Sequence, residues 1–427
     1  KLMRNLSPIG ELLDSNILEQ LPLDHYGVDI NKLIKIISNT SLQLSALIST
    51  LIETAKGSEM SQNNFSRTAL KTFKEFNDNY FEDLEEAAQR FLKENKIKNL
   101  PSISYQYLKP ILENKYKYEI DESTLNNLSE LSELRAVVIN GKKKKLFLNK
   151  KLSDKRKAFV TGMELAYNFL GIKDRSNVFS SVRLNTYDQL LNYFKASYFS
   201  TALIINRRFF IEDILKIFTS KKWNEKGFSA LIDKYNATPE MFFQRLANLS
   251  AKYLGLNKFF FLRFNYELGS SKYNLSKEVR LNTRRNPGGY QTNEHYCRRW
   301  ISIDTLNKLE VSLRKETRSK GRTIGVLHSV FYDSNDEYLC ISVAQRSSLL
   351  EHNLYSVTIG FQIDDTLKKK INFLNDPKIP NKIVNDTCEK CTLENCKERI
   401  APPTTARKVE KSIRMEKALQ QLKESFR

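Results

Sequence analysis

The spacing of apolar residues changes near Gly255, and this change constrains the fold more than any other feature of the sequence. Before it, apolar side chains recur every three to four residues, as they do along one face of a helix. After it come short runs rich in β-branched and aromatic residues, which are typical of strands: KFFFLRFNYELG, IGVLHSVFYD, YLCISVAQR and YSVTIGFQI. The chain is therefore predicted to be α+β, with an α-rich N-terminal half and a β-rich half after it.

Local signals predict individual elements within the α-rich half. The amphipathic run from Arg67 to Asn95 predicts one long helix, and Asn140-Gly141 between two β-type runs predicts a hairpin within 134–149. Further helices are predicted from spacing and capping signals at 1–55, at 155–171 with Gly171 as its end, at 187–206, at 207–218, from Thr238-Pro239 onwards, and over the last twenty residues.

The composition narrows the class of protein. A chain of 427 residues with 41% hydrophobic content can bury a sizeable core in two or three domains. The net charge of +20 favours a polyanionic partner, although a dispersed Lys-rich surface would give the same charge. The sequence contains neither a transmembrane run nor an N-terminal signal core. We expect a cytoplasmic protein without a membrane partner.

Four of the five cysteines suggest a metal centre, whereas Cys340 in YLCISV is interpreted as a core thiol. Three lie close together in TCEKCTLENCKERIAPP and one lies upstream in YCRRW: Cys297, Cys388, Cys391 and Cys396. Four thiolates suit either tetrahedral Zn²⁺ or a [4Fe–4S] cluster. The three-plus-one spacing favours the cluster, because structural zinc sites usually consist of two close pairs. Arg298, Arg299 and Arg399 would offset the negative charge of the thiolates.

The predicted helix at 155–171 resembles a zinc-protease helix that has lost its ligands. Such a helix carries HExxH, with two His as zinc ligands and Glu as the base. Here Met163 and Tyr167 occupy the two His positions, and only Glu164 remains. Because neither Met nor Tyr supplies an imidazole ligand, peptidase chemistry is excluded for this helix.

Several segments in order along the chain resemble the short-chain fatty acyl-CoA responsive regulator family (ScfR), which includes PrpR-like transcription factors. NYFEDLEEAAQ, with Glu85 in the acidic place, resembles the family's N-Y-x3-L-D-x-A-A helix, and KAFVTGMELA resembles its degenerate IrrE/ImmA-type peptidase helix. ASYFSTALIIN resembles A-N-Y-F-A-A-A-L-L-M-P, and YCRRW resembles C-P-L-W. The most specific match is TCEKCTLENCKERIAPP to C-x-x-C-x4-C-x-x-R-x-x-P-P.

The resemblance implies four parts. Residues 1–60 would be a helical connector and oligomerisation segment after a helix-turn-helix that this sequence lacks, and 61–254 a degenerate IrrE/ImmA-like region. Residues 255–403 would form a β-rich, GAF/PAS-like sensory domain with the cysteine loop, and 404–427 a polar helix. Because the sequence starts with Lys and shows no helix-turn-helix signature, we expect that a DNA-binding domain has been removed upstream.

The resemblance also implies a function. The chain would be the sensory and oligomerisation part of a bacterial regulator of short-chain fatty acid metabolism, not an enzyme, and would form a homodimer or homotetramer. It would bind DNA through the absent helix-turn-helix, a [4Fe–4S] cluster through the four cysteines, and CoA or a short-chain acyl-CoA. Such a ligand needs cations for its phosphates and an aromatic or apolar surface. The candidate side chains are Lys157, Tyr198, Arg245 and Arg263.

Two alternatives keep the cysteine pattern but change the function. One is an interaction module stabilised by zinc, without a small ligand. The other is an iron–sulfur nuclease-like enzyme, since a distant cysteine followed by a cysteine triplet also occurs in such nucleases. The acidic metal-binding core that a nuclease needs is not evident on a convincing strand pair.

Overall fold

The computed structural model describes residues 62–179, 184, 186–282, 294–315, 321–350 and 352–425. The helical segment predicted at 1–55 and the connector predicted at 1–60 lie outside these residues. The α+β class is confirmed, because a helical half precedes a sheet-rich half. The remaining division into parts stays a prediction.

The helical half contains the following helices: α1 (Gln62–Phe76), α2 (Glu82–Glu94), α3 (Tyr105–Asn114), α4 (Thr124–Asn127), α5 (Asp154–Phe169), α6 (Tyr187–Ile204), α7 (Arg207–Phe218), α8 (Glu225–Lys234) and α9 (Pro239–Leu249). A three-stranded sheet lies among them, in the order β1 (Tyr118–Asp121), β3 (Lys144–Leu148), β2 (Ala136–Asn140). Strands β2 and β3 are antiparallel and form the predicted hairpin. The predicted cap of α9 is also confirmed, since the Thr238 hydroxyl accepts from Met241 N at 3.2 Å.

The prediction of one continuous helix from Arg67 to Asn95 is wrong. Helix α1 ends at Phe76 and α2 begins at Glu82. Between them Asp78 and Asn79 have φ values of 50° and 54°, in the left-handed region that Asp and Asn tolerate better than most residues. The prediction failed because the helical spacing of apolar residues continues across the turn that separates the two helices.

Helices α5 and α6 approach each other closely at Gly162. A Cβ at that position would lie 2.4 Å from the Ser200 Oγ, so a side chain there would force the helices apart. The Ser200 hydroxyl instead donates to the Phe159 carbonyl at 2.7 Å. This contact fixes the helix that carries Met163, Glu164 and Tyr167 against α6.

The sheet-rich half is built on six strands in the order β5-β4-β8-β7-β6-β9. They are β4 (Phe259–Glu267), β5 (Tyr273–Leu281), β6 (Arg322–Phe331), β7 (Glu337–Arg346), β8 (Asn353–Gln362) and β9 (Asn381–Val384). Neighbouring strands are antiparallel except β6 and β9, which are parallel. The four predicted runs became β4, β6, β7 and β8. The remaining helices are α10 (Ile301–Arg314), α11 (Asp365–Lys370) and α12 (Thr404–Ser425).

The two faces of the six-stranded sheet belong to different apolar cores. On one face, which we call the helical-half face, Phe261, Ile341 and Val357 pack in one core with the helices of the first half. On the other, which we call the α10 face, Phe260, Leu262 and Cys340 pack with Trp300 and helix α10. Alternation along each strand separates the two sets, because successive side chains point to opposite faces.

Helix α12 extends from the end of the cysteine loop with almost all of its residues exposed; Ala406 is its buried residue. Its start is fixed by a hydrogen bond of 2.9 Å from Ala406 N to the Glu389 carbonyl. In the part of the chain that the structure describes, neither this helix nor any other is long and apolar enough to cross a membrane.

Candidate functional site

Two segments that are distant in sequence meet around the cysteines. Tyr296 and Thr387 form an antiparallel bridge. On either side of it, Cys297 N donates to the Asp386 carbonyl at 3.0 Å and Cys388 N donates to the His295 carbonyl at 2.9 Å. This pairing brings Cys297 to the C-terminal cysteine loop, which the sequence spacing alone did not establish.

The four cysteines predicted as ligands line one cavity of about 250 Å³, part of it open to solvent. Cys297, Cys388 and Cys391 are buried, whereas Cys396 is partly exposed. Arg298, Arg299 and Arg399 line the same cavity. The cavity therefore gathers four soft sulfur donors beside three cations.

Burial raises the pKa of the Cys297 thiol to about 11. Backbone N–H groups of Asn385 and Arg299 oppose this shift, while the neighbouring Cys388 and Cys391 reinforce it. Cys388 and Cys391 thus disfavour a negative charge on Cys297 unless a cation lies among the three sulfurs. Metal binding at this site would release protons from the thiols.

Arg399 holds the cysteine loop in shape. Its guanidinium donates to the carbonyls of Cys388 at 2.9 Å, Cys391 at 3.0 Å and Leu393 at 2.8 Å. The sequence suggested a role for Arg399 in charge balance only. Because its N–H groups are engaged with main-chain oxygens, Arg399 also organises the loop that presents three of the cysteines.

Trp300 and Glu389 connect the two segments from either side. The Trp300 indole N–H donates to the Asn385 carbonyl at 2.7 Å, and Trp300 N donates to the Cys297 carbonyl at 3.1 Å. Glu389 accepts from His295 N at 2.9 Å and lies 2.7 Å from His295 Nδ1. The tryptophan of YCRRW is therefore part of the frame of the cysteine cavity.

The chemistry of the donor set fits an iron–sulfur cluster. Thiolates are the usual ligands of [4Fe–4S] clusters, and these four come from two segments that converge on one cavity. Within the described ranges, no three His, Cys, Asp or Glu side chains form a group placed to hold a single metal ion. The identity of the metal stays a prediction.

The structure does not bring the four predicted acyl-CoA residues together, because the three cations pair with three different carboxylates. Lys157 pairs with Glu122. Arg263 Nε lies 3.3 Å from Glu240 Oε2. Arg245 is fully buried and forms a two-pronged ion pair with Glu85, whose Oε1 also accepts from the Tyr198 hydroxyl at 3.0 Å. Tyr198 and Arg245 therefore belong to a buried group that links α2, α6 and α9.

A second cavity, of about 480 Å³ and partly open to solvent, lies between the helical half and the sheet. We call it the cationic cavity, because Arg135, Arg156 and Lys277 line it together with one carboxylate, Glu240. Burial alone would raise the pKa of Glu240, but Lys277, Arg263 and Arg135 outweigh that effect and hold the pKa well below its ordinary value. The cavity thus keeps an excess of positive charge.

One aromatic side chain connects the cationic cavity to the sheet. Tyr355 of β8 lies between two guanidinium groups, with Arg263 at 4.9 Å and Arg156 at 5.8 Å from its ring centre. Of the predicted ligand residues, only Arg263 contacts the polar wall of this cavity. Nothing in the local sequence distinguishes the other charged residues of this cavity from surface charges, so they were not predicted: Arg135, Arg156, Glu240 and Lys277.

Glu164, the remaining residue of the degenerate HExxH pattern, is fully buried and fully engaged. Its Oε1 accepts from the Tyr118 hydroxyl at 2.5 Å, and its Oε2 accepts from Arg175 Nη1 at 2.5 Å. The Arg175 guanidinium also lies 4.5 Å from the centre of the Tyr167 ring. The Arg175 guanidinium therefore neutralises this carboxylate.

Comparison with known proteins agrees with these features at the level of fold. Residues 122–247 match the IrrE N-terminal-like domain of peptidase family M78. A solved structure of a Mycobacterium tuberculosis transcriptional regulator superposes with a TM-score of 0.53 and 16% sequence identity, over 79% of this chain and 94% of that chain. At that identity the likeness shows a shared fold. No match was found among curated proteins.

Proposed function

We propose that this chain is the sensory and oligomerisation part of a bacterial transcriptional regulator of short-chain fatty acid metabolism. In this proposal the four cysteines hold a [4Fe–4S] cluster and the cationic cavity binds CoA or a short-chain acyl-CoA. The convergence of Cys297 with the loop of Cys388, Cys391 and Cys396 on one cavity carries the proposal. The fold shared with a transcriptional regulator supports it.

The cluster would join two parts of the sheet-rich half. Cys297 precedes α10, and the other three cysteines precede α12. A cubane binds each thiolate through a different iron, so its ligands stand further apart than those of one tetrahedral Zn²⁺. When bound, it supplies a cross-link between the segments and sensitivity to oxidants.

The cationic cavity supplies what the phosphates of CoA require. Arg135, Arg156 and Lys277 line one partly buried cavity, where charge-assisted hydrogen bonds are stronger than on an open surface. Phe159, Val160 and Met241 provide an apolar wall for the remainder of the ligand. A ligand that contacts both α5 and β5 would shift the balance between two arrangements of the halves.

We propose no catalytic role for the IrrE-like region. Met163 and Tyr167 cannot replace the two imidazole ligands. The carboxylate of Glu164, which would act as the base, is paired with Arg175. DNA would be contacted by a helix-turn-helix ahead of these residues, in a cytoplasmic homodimer or homotetramer. Palindromic operators favour such even-numbered assemblies.

The cluster proposal is tested by anaerobic purification with analysis of iron, sulfide and zinc. We expect about four irons and four sulfides per chain and a broad visible absorption band. Cys391→Ser should lose both, whereas Cys340→Ser should keep both because Cys340 lies away from the cysteine cavity in the sheet. One zinc per chain without sulfide would refute the cluster and leave a structural zinc site.

The ligand proposal is tested by isothermal titration with CoA. Arg156→Gln should weaken binding by about ten- to a hundredfold, since it removes a charge-assisted contact worth about 1.5–3 kcal/mol. Lys157→Gln is the matched control, because this neighbour on the same helix pairs with Glu122 instead of lining the cavity. Equal losses in the two variants, or undetectable binding by the parent protein, would contradict the assignment.

A further inference from the structure

Helix α12 exposes a stripe of basic and apolar side chains to solvent. Five residues follow one another at intervals of three or four, which places them on one side of a helix: Lys408, Lys411, Met415, Leu419 and Leu422. We call this set the α12 stripe. Its apolar members are more than half exposed, with Met415 at 56%, Leu419 at 54% and Leu422 at 55%. The basic residues precede the apolar ones along the helix.

The exposure of the α12 stripe indicates a docking surface. A single helix in water is only marginally stable, and its stability in a protein usually comes from packing of its apolar side. Helix α12 is held at its start, where Ala406 N donates to the Glu389 carbonyl and the Thr405 hydroxyl donates to Glu294 at 3.3 Å. The helix carries six Lys or Arg and three Glu. A partner of the α12 stripe should therefore be both apolar and acidic.

Two other kinds of partner fit the α12 stripe less well. A second copy of α12 in parallel alignment would place the lysines of the two helices against each other, which is unfavourable. In antiparallel alignment it would place those lysines against Leu419 and Leu422. A nucleic acid would neutralise Lys408 and Lys411 but would leave the three apolar side chains in water.

A stretch of this chain outside the described residues has the complementary composition. In a chain with a net charge of +20, residues 5–31 contain five Asp or Glu and no Lys or Arg. Within residues 11–24, four residues repeat the spacing of the α12 stripe, with the acidic ones first: Glu11, Asp14, Leu18 and Leu21. In parallel alignment the two carboxylates would face the lysines of the α12 stripe, and the two leucines would face its apolar part.

Length and composition favour this stretch over the others outside the described residues. Residues 283–293 contain Arg284 and Arg285 and no acidic residue, and the remaining stretches are shorter still. Residues 25–61 connect the acidic stretch to the start of α1 and could span up to about 120 Å when extended. That length is several times the radius of gyration of about 22 Å expected for a compact chain of this size. Reach therefore does not prevent residues 11–24 from contacting α12.

We propose that the α12 stripe is the docking surface for residues 11–24 of the same chain, held by their acidic and leucine side chains. Because α12 begins directly after the cysteine loop, this contact would connect the N-terminal segment to that loop. The inference goes beyond the proposed function. It requires neither CoA binding nor a particular metal at the cysteines, so its failure would leave both of those assignments untouched.

The test is hydrogen–deuterium exchange of the full chain, read by mass spectrometry in peptides that cover 11–24 and 408–422. The double variant Lys408→Glu with Lys411→Glu should speed exchange in both peptides by about tenfold, because it places like charges together. Glutamate near the start of a helix is favoured by the helix dipole, so this change would not by itself melt α12. Adding Glu11→Lys and Asp14→Lys should restore slow exchange in both peptides.

The matched control is Arg414→Glu with Lys417→Glu, which makes the same change of charge on exposed residues of α12 that lie off the stripe. It should leave exchange in residues 11–24 unchanged. Equal exchange in the parent and the Lys408/Lys411 variant, or no restoration by the charge swap, would overturn the proposal. Slow exchange of 408–422 alone would also overturn it. If that protection rises with protein concentration the partner is a second copy, and if it needs an added DNA duplex the partner is nucleic acid.

Discussion

Buried polar groups are stabilised in different ways on the two faces of the six-stranded sheet. The helical-half face borders a cavity lined by charged side chains, where Glu240 of α9 pairs with Arg263 of β4 and Lys277 of β5. The α10 face borders a cavity without charges, where hydroxyls of α10 and the sheet pair with one another. One sheet therefore separates a cavity lined by charged side chains from an apolar region whose polar groups are hydroxyls.

The difference affects how each region should respond to mutation. Truncating one partner of a buried ion pair leaves an unpaired charge, which costs more than the pair itself contributes. Truncating a hydroxyl in an apolar setting costs less, because the remaining group often keeps a second partner. The helical half should thus be sensitive to loss of single charges, and the α10 face to changes of volume.

The largest effect is expected for Glu85→Ala, which leaves Arg245 buried without its carboxylate. The free energy of unfolding should fall by about 3–5 kcal/mol, as measured by urea denaturation. The control is the double variant Glu85→Leu with Arg245→Leu, which removes both charges and should recover most of the loss. A double variant as unstable as Glu85→Ala would show that packing, not charge, dominates here.

Gly360→Ala should be the most damaging small change on the α10 face. A Cβ there would lie 2.3 Å from Phe260 Cζ, so the ring must move, at a cost of about 1–3 kcal/mol. Gly141→Ala is the control, because its nearest neighbour would be 3.8 Å away. Unchanged stability of Gly360→Ala would contradict the tight contact.

Acid should destabilise the helical-half face through Glu240. Its pKa lies below the ordinary value in the folded protein, so its contribution is present above the unfolded pKa of about 4.3 and is lost as the pH falls below it. Between pH 6 and pH 3 the parent should lose about 1–2 kcal/mol more than Glu240→Gln does. Glu119→Gln on the exposed β1 edge serves as control and should lose as much as the parent.

Ser302→Ala should have the smallest effect. It removes the hydroxyl contact to Thr358, but Thr358 still donates to Ser342 at 2.9 Å. A loss of about 0.5–1 kcal/mol in the urea denaturation of the variant is expected. Ser129→Ala, whose hydroxyl contacts only the adjacent Glu130 among the contacts described, should change stability less. A loss as large as that of Glu85→Ala would remove the contrast between the two faces.

The elements that could be predicted from the sequence are those with local causes. Alternating apolar residues predicted β4, β6, β7 and β8, and Asn140-Gly141 predicted the hairpin. Strand β5 was missed because YNLSKEVRL is mostly polar and its burial depends on β4. The break after Phe76 was missed because apolar spacing carries no information about the left-handed residues of the turn.

The candidate sites divide in the same way. Spacing identified the four cysteines as candidate ligands, since three of them lie on one loop. The pairing of Tyr296 with Thr387 is non-local and could not be predicted from the sequence. In the cationic cavity, Arg156 and Lys157 are adjacent and chemically alike. Which of them faces the cavity depends on the rotation of α5 about its axis, which is set by its packing against α3 and α6.

The ion pair of Glu164 and Arg175 determines what would be needed to restore an HExxH site on α5. Restoring His at positions 163 and 167 would not by itself recreate a hydrolytic centre, because Arg175 would still hold the carboxylate and place a positive charge beside an incoming cation. Removing Arg175 first would leave Glu164 buried with only neutral partners. Restoring the two His and freeing the carboxylate are therefore separate changes, and neither alone supplies both the ligands and the base of an HExxH site.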